Sequence, residues 1–428
     1  MHHGLVKAAS TLTLAPKTNQ EPAHRRALGE VAWIFLKLGF ISFGGPAAHL
    51  ALMEEEVVRK RAWLTRDEFL DLLGATNLIP GPNSTEMAIH LGRVRGGWTG
   101  LFLAGACFIL PAMFIVLGCA WTYQRLGNWP PFEALLYGIK PVLIAIVLQA
   151  GWGLARAATK TAALALLGAI CVALNIAGLH ELWLLLAAGV AAAALHGLGL
   201  VRPPGGPSSR AAWAPVWAGA AMPTPAPVSN TAAGGAAAAT LTAPAGAAAV
   251  SFGLWPMFWF FVKIGSVLYG SGYVLLAFLR ADLVERWHWL TEQQLLDAIA
   301  VGQVTPGPVF TTATFIGYLL GGVPGGVAAT VGIFLPAFIF VAVSGPLIPR
   351  LRASPLAGAV LDGVNVASLG LLAVVTWQMG RAAAKDWLTA SMMLVSAVLL
   401  FRFRINSVWL IAGGAGVGLL ARFAGMTG

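Results

Sequence analysis

Charge is scarce in this sequence. Asp, Glu, Lys and Arg make up 10% of its 428 residues, against about 25% in an ordinary soluble domain. Hydrophobic types make up 58%, so a soluble enzyme, a disordered chain and a secreted disulfide scaffold all fit poorly. Cysteine is scarce too. Cys107, Cys119 and Cys171 lie inside apolar stretches. Their odd number and lack of ligand-type spacing give neither a disulfide framework nor a metal site, and they read as small core residues. There is no Walker phosphate loop, so ATP hydrolysis is not expected. No basic run with interleaved aromatics suggests a nucleic-acid partner. His49 and His90 have no histidine twins, and packing or a local hydrogen bond is expected of them. No cofactor and no catalytic set is expected. The first 26 residues lack a signal peptide's apolar core. Residues 1–27 read as a mobile tail.

Long apolar stretches are what the sequence has. They run near 28–52, 97–122, 131–156, 161–178 and 181–200, then near 252–279, 323–346, 356–381, 386–401 and 405–422. The excess of Lys and Arg, a net charge of +10, falls mostly at their ends, as anchors at a membrane edge do. A Pro-, Gly-, Ala- and Ser-rich segment at 201–250 separates the two sets and reads as a flexible linker. The expected domains are therefore 28–200 and 251–428.

The second set repeats the first. FLKLGFISFGG at 35–45 aligns with FVKIGSVLYGS at 261–271, WLT at 63–65 with WLT at 289–291, and IPGP at 79–82 with TPGP at 305–308. The offset is 226 throughout, and 225 after one deleted residue, where Gly92 meets Gly317 and Pro111 meets Pro336. Two such repeats suit a transporter with a pseudo-two-fold axis. The predicted fold class is an all-α polytopic membrane protein of two homologous, inverted repeats. Each has a broken first helix, a re-entrant helical hairpin and further transmembrane helices. With non-crossing hairpins, each repeat would cross five times, and an odd number inverts the second copy.

Thr65-Arg66-Asp67-Glu68 and Thr291-Glu292-Gln293-Gln294 have capping-box form. Each opens a helix that stops at Pro-Gly-Pro after about 20 Å, short of the roughly 30 Å hydrocarbon core. A second short helix follows, near 83–93 and 309–319. A re-entrant hairpin with its tip inside the membrane is expected; an interfacial helix followed by a short span is the alternative.

Four groups of residues are candidates for chemistry. Gly44, Gly45 and Pro46 interrupt the first span, and Gly270, Ser271 and Gly272 its twin. Freed backbone groups there must meet protein, water or a ligand, unless the break is a packing kink. Pro80-Gly81-Pro82 and Pro306-Gly307-Pro308 start helices whose open amides and positive dipole ends suit an anion. Asn83 and Ser84, and Thr311 in the second copy, add donors or act only as caps. Asn77 and Gln303 line the same cavity or cap the preceding arm. Lys37 and Lys263 lie within spans, where a cation is functional by default or snorkels to the edge. Asp71, Asp297 and the unmatched Glu86 are candidates for proton coupling. Glu54, Glu55 and Glu56 read as a solvated membrane edge.

With FxKxGxxxFGG, WLTxxE, NLIPGP and the diverged QVTPGP, the chain resembles the chromate ion transporter family in its long two-domain form. The resemblance covers about 35–200 and 258–422. It implies secondary efflux of chromate from the bacterial cytoplasm, conferring chromate resistance, by a multi-pass protein of the cytoplasmic (inner) membrane. Chromate is the implied transported ion, with sulfate as its chemical look-alike; a homodimer is compatible with the reading. It points to Lys37, Gly44, Gly45, Pro46, Asn77, Pro80, Gly81 and Pro82, and to Lys263, Gly270, Gln303, Pro306, Gly307 and Pro308. Departures such as Val309 for Asn83 suggest unequal halves. A sulfate carrier is the runner-up, and a membrane-embedded enzyme or passive anion channel the alternative of another class.

Overall fold

The computed structural model describes residues 20–43, 45–126, 129–198, 252–269, 274–403 and 405–425. The linker expected at 201–250, residues 1–19 of the expected tail, and Gly44, Gly270, Ser271 and Gly272 lie outside the described residues. Fourteen α-helices and no strand occur among the described residues. Those of the first half are α1 (Gln20–Ile41), α2 (Pro46–Glu54), α3 (Arg66–Thr76), α4 (Asn83–Leu126), α5 (Pro130–Ala158), α6 (Ala162–Ile176) and α7 (Glu181–Gly197). The second half repeats them in order as α8 (Leu254–Val267), α9 (Leu275–Leu279), α10 (Glu292–Val304), α11 (Thr312–Ala353), α12 (Pro355–Ala383), α13 (Trp387–Val398) and α14 (Ser407–Phe423). Helix α1 begins inside the segment read as tail.

The first helix breaks where the glycines predict, and the break reverses the chain. Lys37 on α1 reaches Glu56, just after α2, at 2.9 Å. Nineteen residues of continuous helix would hold these positions about 28 Å apart. Helix α2 therefore folds back beside α1, and the pair is a helical hairpin open to one face of the bundle. Lys263 and Asp282 repeat the arrangement at 2.8 Å in the second half.

Helix α4 also doubles back. A straight 44-residue helix would be about 66 Å long, twice a bilayer core. At Gly96 and Gly97 the backbone leaves helical angles, with Gly97 at φ 62°. Gly92 and Gly100 then lie backbone to backbone, so close that a Cβ on Gly92 would sit 3.0 Å from the Gly100 carbonyl carbon. Only glycine permits that approach. Gly321 and Gly322 (φ 62°) turn α11 in the same way, with Gly317 against Gly325. The first limb of α4 thus pairs with α3 as the expected re-entrant hairpin. Both capping boxes form, at Thr65 with Glu68 and at Thr291 with Gln294.

The second limbs of α4 and α11 run antiparallel. Phe102 stacks on Phe338, and Leu117 lies against Gly326. In addition Arg93, on the first limb of α4, donates from Nη1 to the Val341 and Ala342 carbonyls at 2.9 Å, and Gln124 Nε2 donates to the carbonyl of Leu319, on the first limb of α11, at 3.3 Å. Rising numbers on one limb meet falling numbers on the other. The two halves are inverted, with α1 and α3 entering from one face and α8 and α10 from the other. Helices α5, α6 and α7 complete the first half. Helix α6 runs from Lys160, paired with Asp362 at 2.6 Å, to His180, whose Nε2 lies 3.1 Å from Arg286 on the far face. Among the described residues each half thus traverses the bundle four times, not the expected five, because the first span is itself a hairpin. Four is even, so the inversion follows from the antiparallel packing of α4 on α11 and not from the number of crossings. Helix α5 packs on α14 and α13, and α12 on α7 and α6, so each half clasps the other.

Four helical segments are long and apolar enough to cross a membrane: Asn83–Leu126, Pro130–Arg156, Val309–Ser344 and Pro355–Ala383. Exposed Trp33, Trp98, Trp121, Trp152, Trp255, Trp259 and Trp377 stud the outside of the bundle, as aromatics do where a protein faces lipid and its headgroups.

Candidate functional site

Each hairpin tip ends at Pro-Gly-Pro because proline stops a helix and the glycine must take a turn that other residues resist. Gly81 has φ 141° and Gly307 φ 95°. The Gly81 amide donates to the Leu268 carbonyl at 2.6 Å, and the Gly307 amide to the Ser42 carbonyl at 2.9 Å. Ser42 and Leu268 are equivalents, each the last residue or two before a glycine break. Every tip is thus bonded to the broken helix of the opposite half. The packing is equally reciprocal. A Cβ on Gly307 would fall 2.6 Å from Ala112 Cβ, and one on Gly81 3.7 Å from Ala337 Cβ.

At each junction helix N-termini converge. Pro46 opens α2 after Gly45 (φ 83°), close to the tip that opens α11. Leu275 opens α9 seven residues beyond Leu268, the acceptor for the tip that opens α4. First-turn amides lack helical partners, so each junction gathers donors and the positive ends of two helices.

The side chains at the tips differ between halves. Asn83 Nδ2 donates to Asn77 Oδ1 at 2.6 Å, tying the hairpin arms together. In the second half Val309 stands in place of Asn83, and the Gln303 side-chain amide has no protein partner among the described residues. Ser84 and Thr85 are buried, the latter hydroxyl unpartnered. Thr311 and Thr312 instead donate their hydroxyls to the Pro308 and Val309 carbonyls, three residues back, at 2.8 and 2.9 Å, and neither hydroxyl acts as a cap. Glu86 is fully buried against Gly81, with neither carboxyl oxygen hydrogen-bonded.

Lys37 and Lys263 sit outside the junctions. Glu56 accepts from Lys37, from Lys60 at 3.1 Å and from Arg61; Asp282 accepts from Lys263 and from Arg286 at 2.6 Å. Glu56 is 4% exposed, so it is a buried counter-ion and not the solvated edge that was expected. Its twin Asp282, at the same offset, is the signal that marks it. The two clusters lie on opposite faces of the bundle, and each carries more cations than anions.

The matched acids have different surroundings. Asp71 is exposed, whereas Asp297 is buried, 2.6 Å from Lys140 and 2.9 Å from the Tyr123 hydroxyl. Lys140 escaped the reading by matched pairs because its equivalent in the second half, at the offset of 225, is the uncharged Asn365. His49 is buried edge-on to Phe108 at 5.8 Å. No group of three or more His, Cys, Asp or Glu suited to a metal occurs among the described residues.

The comparisons agree with the duplication. The model of the chromate transporter family matches residues 29–193 and again 255–419. A chromate transport protein of Cupriavidus metallidurans is 30% identical over 416 residues, 96% of each chain. A probable chromate transport protein of Synechococcus elongatus is 28% identical over 84% of this chain and 86% of its own length. A chromate transport protein of Pseudomonas aeruginosa is 30% identical over 89% of this chain and 90% of its own. No solved structure matches the chain.

Proposed function

Because the chain belongs to the chromate transporter family, we propose that it carries chromate out of the bacterial cytoplasm across the inner membrane, as a secondary transporter conferring chromate resistance. The observation that carries the proposal is the reciprocal bonding of each tip to the opposite break. Such a junction presents open amides and two positive helix ends to a dianion with few charges to desolvate. A tetrahedral oxyanion accepts from several amides at once. Binding stays modest, as release requires.

Lys37 and Lys263 act in this reading at the two mouths, drawing the dianion toward the junction on each face. Access alternates as one half rocks against the other about the pseudo-two-fold axis. An inside-negative membrane potential favours export, by about 4.6 kcal/mol per 100 mV for two charges. Sulfate has the same charge and shape, and competition between the ions sets the preference.

Inside-out vesicles holding the protein should accumulate chromate when a membrane potential is imposed, and cells expressing it should retain less chromate than controls. Vesicles that take up none would refute the reading. Uptake that is fastest for sulfate and barely competed by chromate would favour the sulfate carrier.

A further inference from the structure

Glu86 is the one acid at either tip, and nothing in the transport reading uses it. It lies one turn inside the first limb of α4, wholly buried, with both carboxyl oxygens free of hydrogen bonds. The second half carries threonine there whichever way the one-residue gap is placed, Thr311 or Thr312. The carboxyl presses on Gly81, the residue whose amide holds the tip to Leu268. Anything that forces the carboxyl to move forces the tip to move.

Among the described residues no charge stands ready to balance a carboxylate there. On its own limb, His90 is buried with Nε2 unpartnered, Arg93 is bound to the α11 carbonyls and Arg95 to Glu30. On α1, Lys37 is held by Glu56 and Glu30 by Arg61 and Arg95. On α2, His49 is buried; on α3, Asp71 is exposed. Lys263 of α8 is held by Asp282, and Asp297 of α10 by Lys140. From α11 the tip meets Ala337. Among the described residues of the opposite half, Tyr269 lies within electrostatic reach, and its own ionisation would add like charge. A buried carboxylate without a partner is strongly disfavoured; the neutral acid is not.

We propose that Glu86 is a proton-binding site of the carrier, neutral whenever the tip is seated on Leu268 and ionised only when the tip withdraws into water. Seating converts –COO⁻ and one proton, drawn from the water on the open side, to –COOH. A dianion at the start of α4 favours the same neutral form, because it would repel a carboxylate one turn away. The proposal deepens the transport reading by naming the proton as the second ion at the same site.

The test is amide hydrogen exchange of residues 80–86 in the full-length protein in detergent, from mildly acidic to alkaline pH, corrected for intrinsic exchange. In the wild type, protection should fall about tenfold per pH unit once Glu86 ionises in the open state. Glu86→Gln should give a flat profile, and Glu86→Asp should restore the slope. If Glu86→Gln loses protection along the whole chain, Glu86→Thr takes its place. A flat wild-type profile, or a neutral variant that keeps the wild-type slope, overturns the proposal. Chromate uptake by the same wild-type preparation reports separately on the transport reading, since exchange at the tip needs no anion.

Discussion

The amide of Gly81 and the carbonyl of Leu268 belong to different halves of the chain, 187 residues apart, yet they meet at 2.6 Å. The pair Gly307 and Ser42 meets at 2.9 Å by the same rule. Two breaks and two tips thus form two equivalent junctions, each built from both halves. Neither half can change its tilt without disturbing both.

Substitutions at the tips should therefore act on transport first. Gly307→Val and Gly81→Val each place a side chain where φ is positive, at a cost of about 1–3 kcal/mol. At Gly307 the new Cβ also meets Ala112. Vesicle uptake should fall to background in both variants while membrane insertion, followed by immunoblot, is retained.

The two lysines should behave as attractors at the mouths. Lys37→Ala and Lys263→Ala should raise KM for chromate about tenfold at low ionic strength, with kcat little changed. High salt should shrink the difference, because it screens the field. A collapse of kcat with unchanged KM would place the ammonium groups at the bound ion instead. Initial rates of uptake at two salt concentrations decide between them.

The Lys140–Asp297 pair should matter for stability. Asp297→Ala leaves a buried ammonium, 5% exposed at its side chain, without its carboxylate. Breaking such a pair costs about 3–5 kcal/mol, read as a clear drop in Tm. Lys140→Met added to Asp297→Leu should recover most of it.

The glycine crossing within α11 offers a second structural check. A Cβ on Gly325 would lie 3.0 Å from the Gly317 carbonyl carbon. Gly325→Leu should therefore cost at least about 1–3 kcal/mol as overpacking and lower the detergent melting temperature. Gly413→Leu, where a Cβ would meet nothing within 4 Å, should leave it nearly unchanged.

Much of this architecture is legible in the amino-acid order. The offset of 226 pairs Ser42 with Leu268 and Gly81 with Gly307, and those four residues make the reciprocal bonds. Thr65 and Thr291 cap their helices as the pattern predicts. What the order hides is direction. A glycine break says that a helix stops, not that the chain turns back on itself, so α1 and α2 read as one span. Only the approach of Lys37 to Glu56, nineteen residues on, exposes the reversal. Lys140 was hidden for another reason, since a search for matched residues passes over a buried group present in one half alone.

Chromate uptake into inside-out vesicles, wild type against Gly307→Val, tests most directly the claim that a tip seated on the opposite break carries the ion. The wild type should accumulate chromate under an imposed potential, and the variant, inserted to the same level, should not. Equal accumulation by both would show that the junction of Gly307 with Ser42 has no part in transport.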